Sequence, residues 1–143
     1  MTAATLFIML CSLENARKLI EEYNRSYNTK FEMTNCWHLY PDENGDYEFK
    51  DQSWPCNGHA GVYLILDDRN EVVYVGQSRS FGRRFYRYFK DIDGHCEVRS
   101  SNWTKKPAAI VAIAAPDDKK YERLSLEEYL IERLNPIDNT RGK

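Results

Sequence analysis

The sequence predicts an α+β domain: a small antiparallel three-stranded β-sheet flanked by helices, preceded by an N-terminal extension of a helix and a possible hairpin. Three observations carry this. The runs GVYLIL (61–66) and EVVYVG (71–76) flank the turn-forming DDRN, as the arms of an antiparallel hairpin do. The apolar run PAAIVAIAAP (107–116) is bounded by prolines and reads as a buried third strand. Stretches with helical spacing lie between and around these runs, which layers helices against a sheet. At 143 residues the chain is long enough for one compact domain. Pro55 and Gly58 mark a boundary between an extension, residues 1–58, and a principal domain, residues 59–143.

The elements follow in order. SLENARKLIEEY (12–23) reads as a helix, with Ser12 as a cap and Leu13, Ala16, Ile20 and Tyr23 on one face. DENGD (42–46), between WHLY and YEF, has Asn-Gly at its centre and suits a hairpin tip. After the central hairpin, SFGRRFYRYFK (80–90) reads as a short helix with Phe81, Phe85, Tyr88 and Phe89 on its apolar face. DIDGHCEVRSSNW (91–103) reads as a loop. DDKKYERLSLEEYLIERLNP (117–136) is the best helix, with acids in its first turn and Pro136 beyond its end.

Composition narrows the class. Hydrophobic residues are 42% and charged residues 29%, the balance of a soluble globular domain. No apolar run approaches the ~20 residues of a membrane helix. TAATLFIMLC near the start is short, has no Lys or Arg before it and runs into SLENARK, so it reads as a helix approach and not a cleaved leader. A cytoplasmic protein is expected, with Cys11, Cys36, Cys56 and Cys96 reduced. Cys36, His38, Cys56 and His59 contain the residue types of a zinc site but not the spacing of a common zinc module, so core thiols are the expected reading.

Net charge is −2, which by itself argues weakly against nucleic acid. Its distribution argues otherwise. Residues 1–58 carry five basic and nine acidic residues, residues 59–143 fifteen and thirteen. RSFGRRFYRYFK (79–90) holds Arg79, Arg83, Arg84, Arg87 and Lys90 and no acid. A local basic stripe binds phosphates even on an acidic chain, because salt confines its field to about 10 Å or less.

Glu127 is the sharpest anomaly. At about 100° per residue, Leu124, Leu130, Ile131 and Leu134 share one face of the last helix, and Glu127 falls among them. Two readings follow: a partner arginine or an edge position satisfies the acid, or it is a metal ligand or catalytic acid in a cleft. Arg84 borders the aromatic face of the preceding helix, where a snorkelling surface role competes with a catalytic one. Arg83 and Arg87 point further out, as a phosphate-binding face or as solvated charge. Tyr63 and Tyr74 on the hairpin read as packing residues when taken alone.

Together these residues resemble a known pattern. GVY, ten residues, then YVG is similar to the signature of the GIY-YIG nuclease family. The resemblance continues with Arg84 ten residues after the second tyrosine, Tyr88 one turn later, Glu127 on a later helix and Asn139 about three turns on. It covers about residues 59–140. Where the family has a lysine-like residue just after YVG, this chain has Gln77.

The resemblance implies a divalent-metal-dependent endonuclease that hydrolyses DNA phosphodiesters. In that reading Glu127 holds Mg²⁺ or Mn²⁺ and Arg84 neutralises the scissile phosphate. Tyr63 is favoured as the base and Tyr74 as the residue orienting water, although the sequence does not separate them. Tyr88 supports the phosphate, Gly76 and Asn139 support the site, and Gln77, Arg79, Arg83, Arg87 and Lys90 contact DNA. The competing expectation is a weakly active or inactive module on the same fold that binds nucleic acid or protein. A monomer or a homodimer is expected, and double-strand cleavage by a single site favours the dimer.

Overall fold

The computed structural model describes residues 2–3, 10–46, 54–92, 95–99 and 102–139. The YEF arm expected to close a hairpin after DENGD lies outside them. Helix α1 spans Leu13–Tyr27. The Ser12 side chain accepts a hydrogen bond from the Asn15 backbone, and Asn28 ends the helix in the left-handed conformation. Ala16, Ile20 and Tyr23 form its buried face.

The sheet is antiparallel and α+β in class. Its centre is the hairpin of β3 (Gly61–Leu66) and β4 (Val72–Ser78), with β7 (Ala109–Ala114) on the other side of β3. Two short strands, β1 (Glu32–Met33) and β2 (Trp37–His38), pair end to end with β7, so the three expected strands gain a fourth, interrupted row. A two-residue strand carries no periodicity of its own, and only its partner defines it.

Helix α2 spans Phe81–Tyr88 and runs straight into β5 (Phe89–Ile92), which pairs with β6 (His95–Val98). The stretch expected to be a loop is therefore largely a second, two-stranded sheet. Its register explains this: Phe89 and Cys96 are buried while Lys90 and Glu97 are exposed, the period-two pattern of a half-covered ribbon. The last helical stretch is also divided. A 3₁₀ segment (Asp117–Glu122), broken at Lys119, precedes helix α3 (Arg123–Leu134). Asn135 ends α3 in the left-handed conformation and Pro136 follows.

The sheet separates two cores. On one face Val62, Leu64 and Leu66 meet Ala16, Ile20 and Tyr23 of α1 and Leu126, Leu130 and Leu134 of α3. On the other, Tyr63 and Ile65 meet Phe81, Phe85 and Phe89. Each fully buried leucine contributes about 1.5–3 kcal/mol through apolar transfer. The buried stripe of α3 thus runs through Leu126, Leu130 and Leu134. Leu124, expected inside, is 50% exposed. Glu127 lies at the edge of that stripe and is half-buried.

Among the described residues no disulfide joins the four cysteines. Cys36 packs against the first core and Cys56 against the second, on opposite faces of the sheet. No helix of the described residues is long and apolar enough to cross a membrane.

Candidate active site

Strand order β1–β7–β3–β4 leaves β4 at the edge of the sheet. Helix α2 covers one face there and α3 the other, so side chains from both reach round the same edge. This positions the site.

Tyr63 rises from the middle of β3 on the α2 side. Its cross-strand neighbours are Ala112 on β7 and Gly76 on β4. Small residues on both sides make a bed for its ring. A Cβ at position 76 would overlap the Tyr63 ring at Cζ and the hydroxyl. Close approach, not backbone conformation, requires glycine at 76. Gly76→Ala is expected to displace the ring and to destabilise the fold by about 1–3 kcal/mol through overpacking. Thermal denaturation checks this, and an unchanged midpoint would mean the ring has room to spare.

Three tyrosines meet above this bed. The Tyr63 and Tyr88 hydroxyls are 2.9 Å apart and share a hydrogen bond. Ring centroids are 6.2 Å apart for Tyr63–Tyr74, 6.0 Å for Tyr63–Tyr88 and 6.4 Å for Tyr74–Tyr88. Trp103 closes the group, with centroids 5.8 Å from Tyr74 and 5.6 Å from Tyr88. Tyr63 is fully buried, whereas Tyr74 and Tyr88 are half-exposed.

The electrostatics tie Arg84 and Glu127 to this cluster. Burial pushes the Tyr63 phenol well above its ordinary range, Tyr88 and Tyr74 add to the shift, and Arg84 opposes it. Burial raises Tyr74 as well, helped by Tyr88 and Glu127 and again opposed by Arg84. For Arg84, burial works against the charge, but Tyr63 and Tyr88 outweigh it and hold the guanidinium above its ordinary value. Burial raises the Glu127 carboxyl, and Arg84 and then Arg123 pull it back. Four expected residues thus act on one another: Tyr63, Tyr74, Arg84 and Glu127, with Tyr88 between them.

A cleft of about 460 Å³ opens beside them, lined by Gln77, Arg79, Arg83, Arg84, Arg87 and Arg123 among others. Lys90 lies outside this lining, exposed on β5 and paired in register with Glu97. Asn139 holds the floor. Its Oδ1 accepts from the Val75 N–H at 2.8 Å, and its Nδ2 donates to the Val75 carbonyl at 2.9 Å. Val75 is the residue between Tyr74 and Gly76.

Arg123 was not among the expected residues. It is 8% exposed. Its Nε donates to Gln77 Oε1 at 2.8 Å, and its Nη1 to the Lys120 carbonyl at 2.8 Å. A buried guanidinium needs such acceptors. The signal in the sequence was its place one helical turn before Glu127.

Glu127 does not line this cleft but interacts with two residues that do, Arg84 and Arg123. Among the described residues, no group of three or more metal-ligating side chains forms. A hard divalent cation does not require such a group, since it keeps several waters and takes one or two protein carboxylates. A partly desolvated carboxylate beside a cleft lined by arginines fits such a cation.

Fold and site together define a nuclease-type domain. The chain belongs to the GIY-YIG catalytic domain family, whose model matches residues 59–141. The chain is also similar to UvrABC system protein C of Francisella philomiragia subsp. philomiragia, at 30% identity over 101 residues, which are 71% of this chain and 16% of that protein. The proteins of the same name in Francisella tularensis subsp. holarctica and subsp. novicida are 30% identical over 98 residues, 68% of this chain and 15% of each. The chain spans about a sixth of the length of these relatives.

Proposed function

We propose that the chain is an endonuclease hydrolysing DNA phosphodiester bonds, with a divalent cation of the Mg²⁺ or Mn²⁺ class held by Glu127. The observation that carries this reading is the meeting of Arg84, Glu127 and three tyrosines at one sheet edge, beside an arginine-lined cleft.

Phosphodiester hydrolysis needs charge neutralisation on the phosphoryl oxygens and an activated water. The cation would supply part of that neutralisation when bound. Arg84 presents a planar fork that matches phosphate oxygens and stays charged throughout. Arg123, braced by Gln77, adds positive charge from the α3 wall. Arg79, Arg83 and Arg87 bind flanking phosphates and set the strand along the cleft.

Water adds to phosphorus as the bond to the leaving oxygen breaks. The water's proton passes to a tyrosine oxygen whose own proton has left to solvent, a loss that burial opposes and that Arg84 and a bound cation would favour, and solvent protonates the leaving oxygen. The sequence favours Tyr63 as that base, but burial favours Tyr74. Tyr63 is fully covered and its hydroxyl is engaged with Tyr88. Tyr74 is more open and is influenced by both Arg84 and Glu127. Arg84 is the group that favours its ionised form.

Supercoiled plasmid incubated with the protein and Mg²⁺ is expected to become nicked, and chelation of the metal is expected to stop the reaction. Plasmid that stays supercoiled with Mg²⁺ and with Mn²⁺ would overturn this reading.

A further inference from the structure

The basic helix has a second side. A cleft of about 630 Å³ lies there, lined by Trp54, Asn57, Ser80, Gly82, Arg83, Tyr86 and Arg87. It shares Ser80, Arg83 and Arg87 with the arginine cleft, so the two adjoin along α2. Its character differs. The lining of the arginine cleft has no aromatic ring, whereas this one combines two aromatic rings with two arginines.

Each aromatic is held in a distinct way. Trp54 rests on the core, with its ring centroid 5.7 Å from Phe85 and 6.1 Å from Phe89. Tyr86 stands out from α2 and is 60% exposed. The Arg99 guanidinium covers one face of the Tyr86 ring, 4.7 Å from its centroid, so a base stacks on the other face, in the cleft that Tyr86 lines. Gly82, inside α2, gives up about 1 kcal/mol of helix stability relative to Ala, and the Asn57 side chain lies against it.

Duplex DNA presents phosphates outward and keeps its bases stacked inside. Unless it is kinked, it gives the face of an exposed ring no base to stack on. Unpaired nucleotides do, because every base has a face that stacks on an aromatic ring or a guanidinium plane. Resting on the nuclease reading for the identity of the strand, we infer that this cleft is a stacking subsite for unpaired bases flanking the scissile phosphate. The substrate class is DNA with a single-stranded segment beside the cut, as at a gap, flap or bubble. Arg83 and Arg87 hold the phosphates that link the two clefts, and Tyr86 stacks the base.

Fluorescence anisotropy in chelator tests this. Two labelled DNAs are compared, a duplex and the same duplex with a single-stranded gap of about five nucleotides. The full chain is expected to bind the gapped DNA about tenfold more tightly or better. Tyr86→Ala should bring the affinity ratio towards one, and Tyr86→Phe should preserve it, since the ring alone stacks. Equal binding of both DNAs by the wild type, or the same preference in Tyr86→Ala, overturns the subsite. The two readings fail separately. A protein that prefers gapped DNA but never cuts keeps the subsite and loses the nuclease; one that nicks plasmid but binds both DNAs alike loses only the subsite.

Discussion

Replacing Glu127 with glutamine is expected to lower cleavage by about 10²–10³-fold or more while leaving the protein folded. Glutamine keeps the shape of the side chain and removes the anionic oxygens a hard cation requires. The fold should tolerate this because Glu127 sits at the margin of the α3 stripe, not within it. Burial raises its carboxyl, and Arg84 and Arg123 only partly offset that. A carboxyl whose pKa is raised in the folded state binds its proton more tightly there than in the unfolded chain. The charged form therefore costs stability at neutral pH, and the cost is relieved as pH falls through the raised value. Glu127→Gln removes that cost and the attraction to the two arginines together. The melting temperature should move by no more than a few degrees, the equivalent of about 1 kcal/mol. The same shift bears on activity. Cleavage by the wild type should lose its acid limb at a higher pH than a free glutamate would give, because protonated Glu127 no longer holds the metal. Nicking rates and thermal melts of both proteins check this. A glutamine variant that cuts at the wild-type rate rejects the assignment.

Replacing Arg84 with alanine should reduce cleavage by about 10³-fold or more, since its fork is proposed to meet charge that develops on the phosphate. Lysine should rescue little, because it offers a point charge without the fork. The variant also carries a signature that a purely structural residue would not leave. Arg84 pulls the Glu127 carboxyl down and favours ionisation of Tyr63 and Tyr74. Without it, the Glu127 pKa should rise and the tyrosines should become harder to ionise. Both groups act in their deprotonated forms, so the onset of residual activity should move to higher pH. NMR titration of labelled glutamate follows the acid side directly. A Glu127 pKa that stays put or falls in Arg84→Ala would show that the two side chains do not share a site.

Much of the fold was legible because its main elements are periodic. The β3–β4 hairpin, β7, α1 and α2 each have a pattern that matches the face they bury. The misreadings have local causes. The β5–β6 ribbon is short and polar, so its alternation through Phe89, Lys90, Cys96 and Glu97 is easily taken for a loop. The stripe of α3 was misplaced because Leu124 was counted in and Leu126 left out, which put Glu127 at the centre instead of the margin. The regular helix begins at Arg123, after a kinked 3₁₀ segment, so one uninterrupted helical wheel does not describe the whole stretch.

The candidate site was legible in part for a different reason. Tyr63, Tyr74, Arg84 and Glu127 stand at spacings that a family signature records. The bracing of Arg123 by Gln77 crosses from α3 to β4, and no periodicity within either element encodes it. The lysine-like position after YVG is filled by a neutral amide whose oxygen instead orients a cation from another helix. Such pairings are visible only once the chain has folded.

The outer margin of β4 has a consequence for how this domain can be combined with others. Its polar backbone is already occupied, with the Asn139 amide mimicking a neighbouring peptide at Val75, the Asp138 N–H bonded to the Val73 carbonyl and the Cys11 carbonyl receiving the Val72 N–H. Another chain cannot zip onto this side by strand addition without unseating the segment that supports the site. At the opposite border the Asn24 amide makes the same pair of bonds, its Nδ2 donating to the Phe31 carbonyl at 3.0 Å and its Oδ1 accepting from the Phe31 N–H at 2.9 Å, just before β1. Strand addition is thereby disfavoured at both borders, and the margin beside the cleft stays clear of a pairing chain.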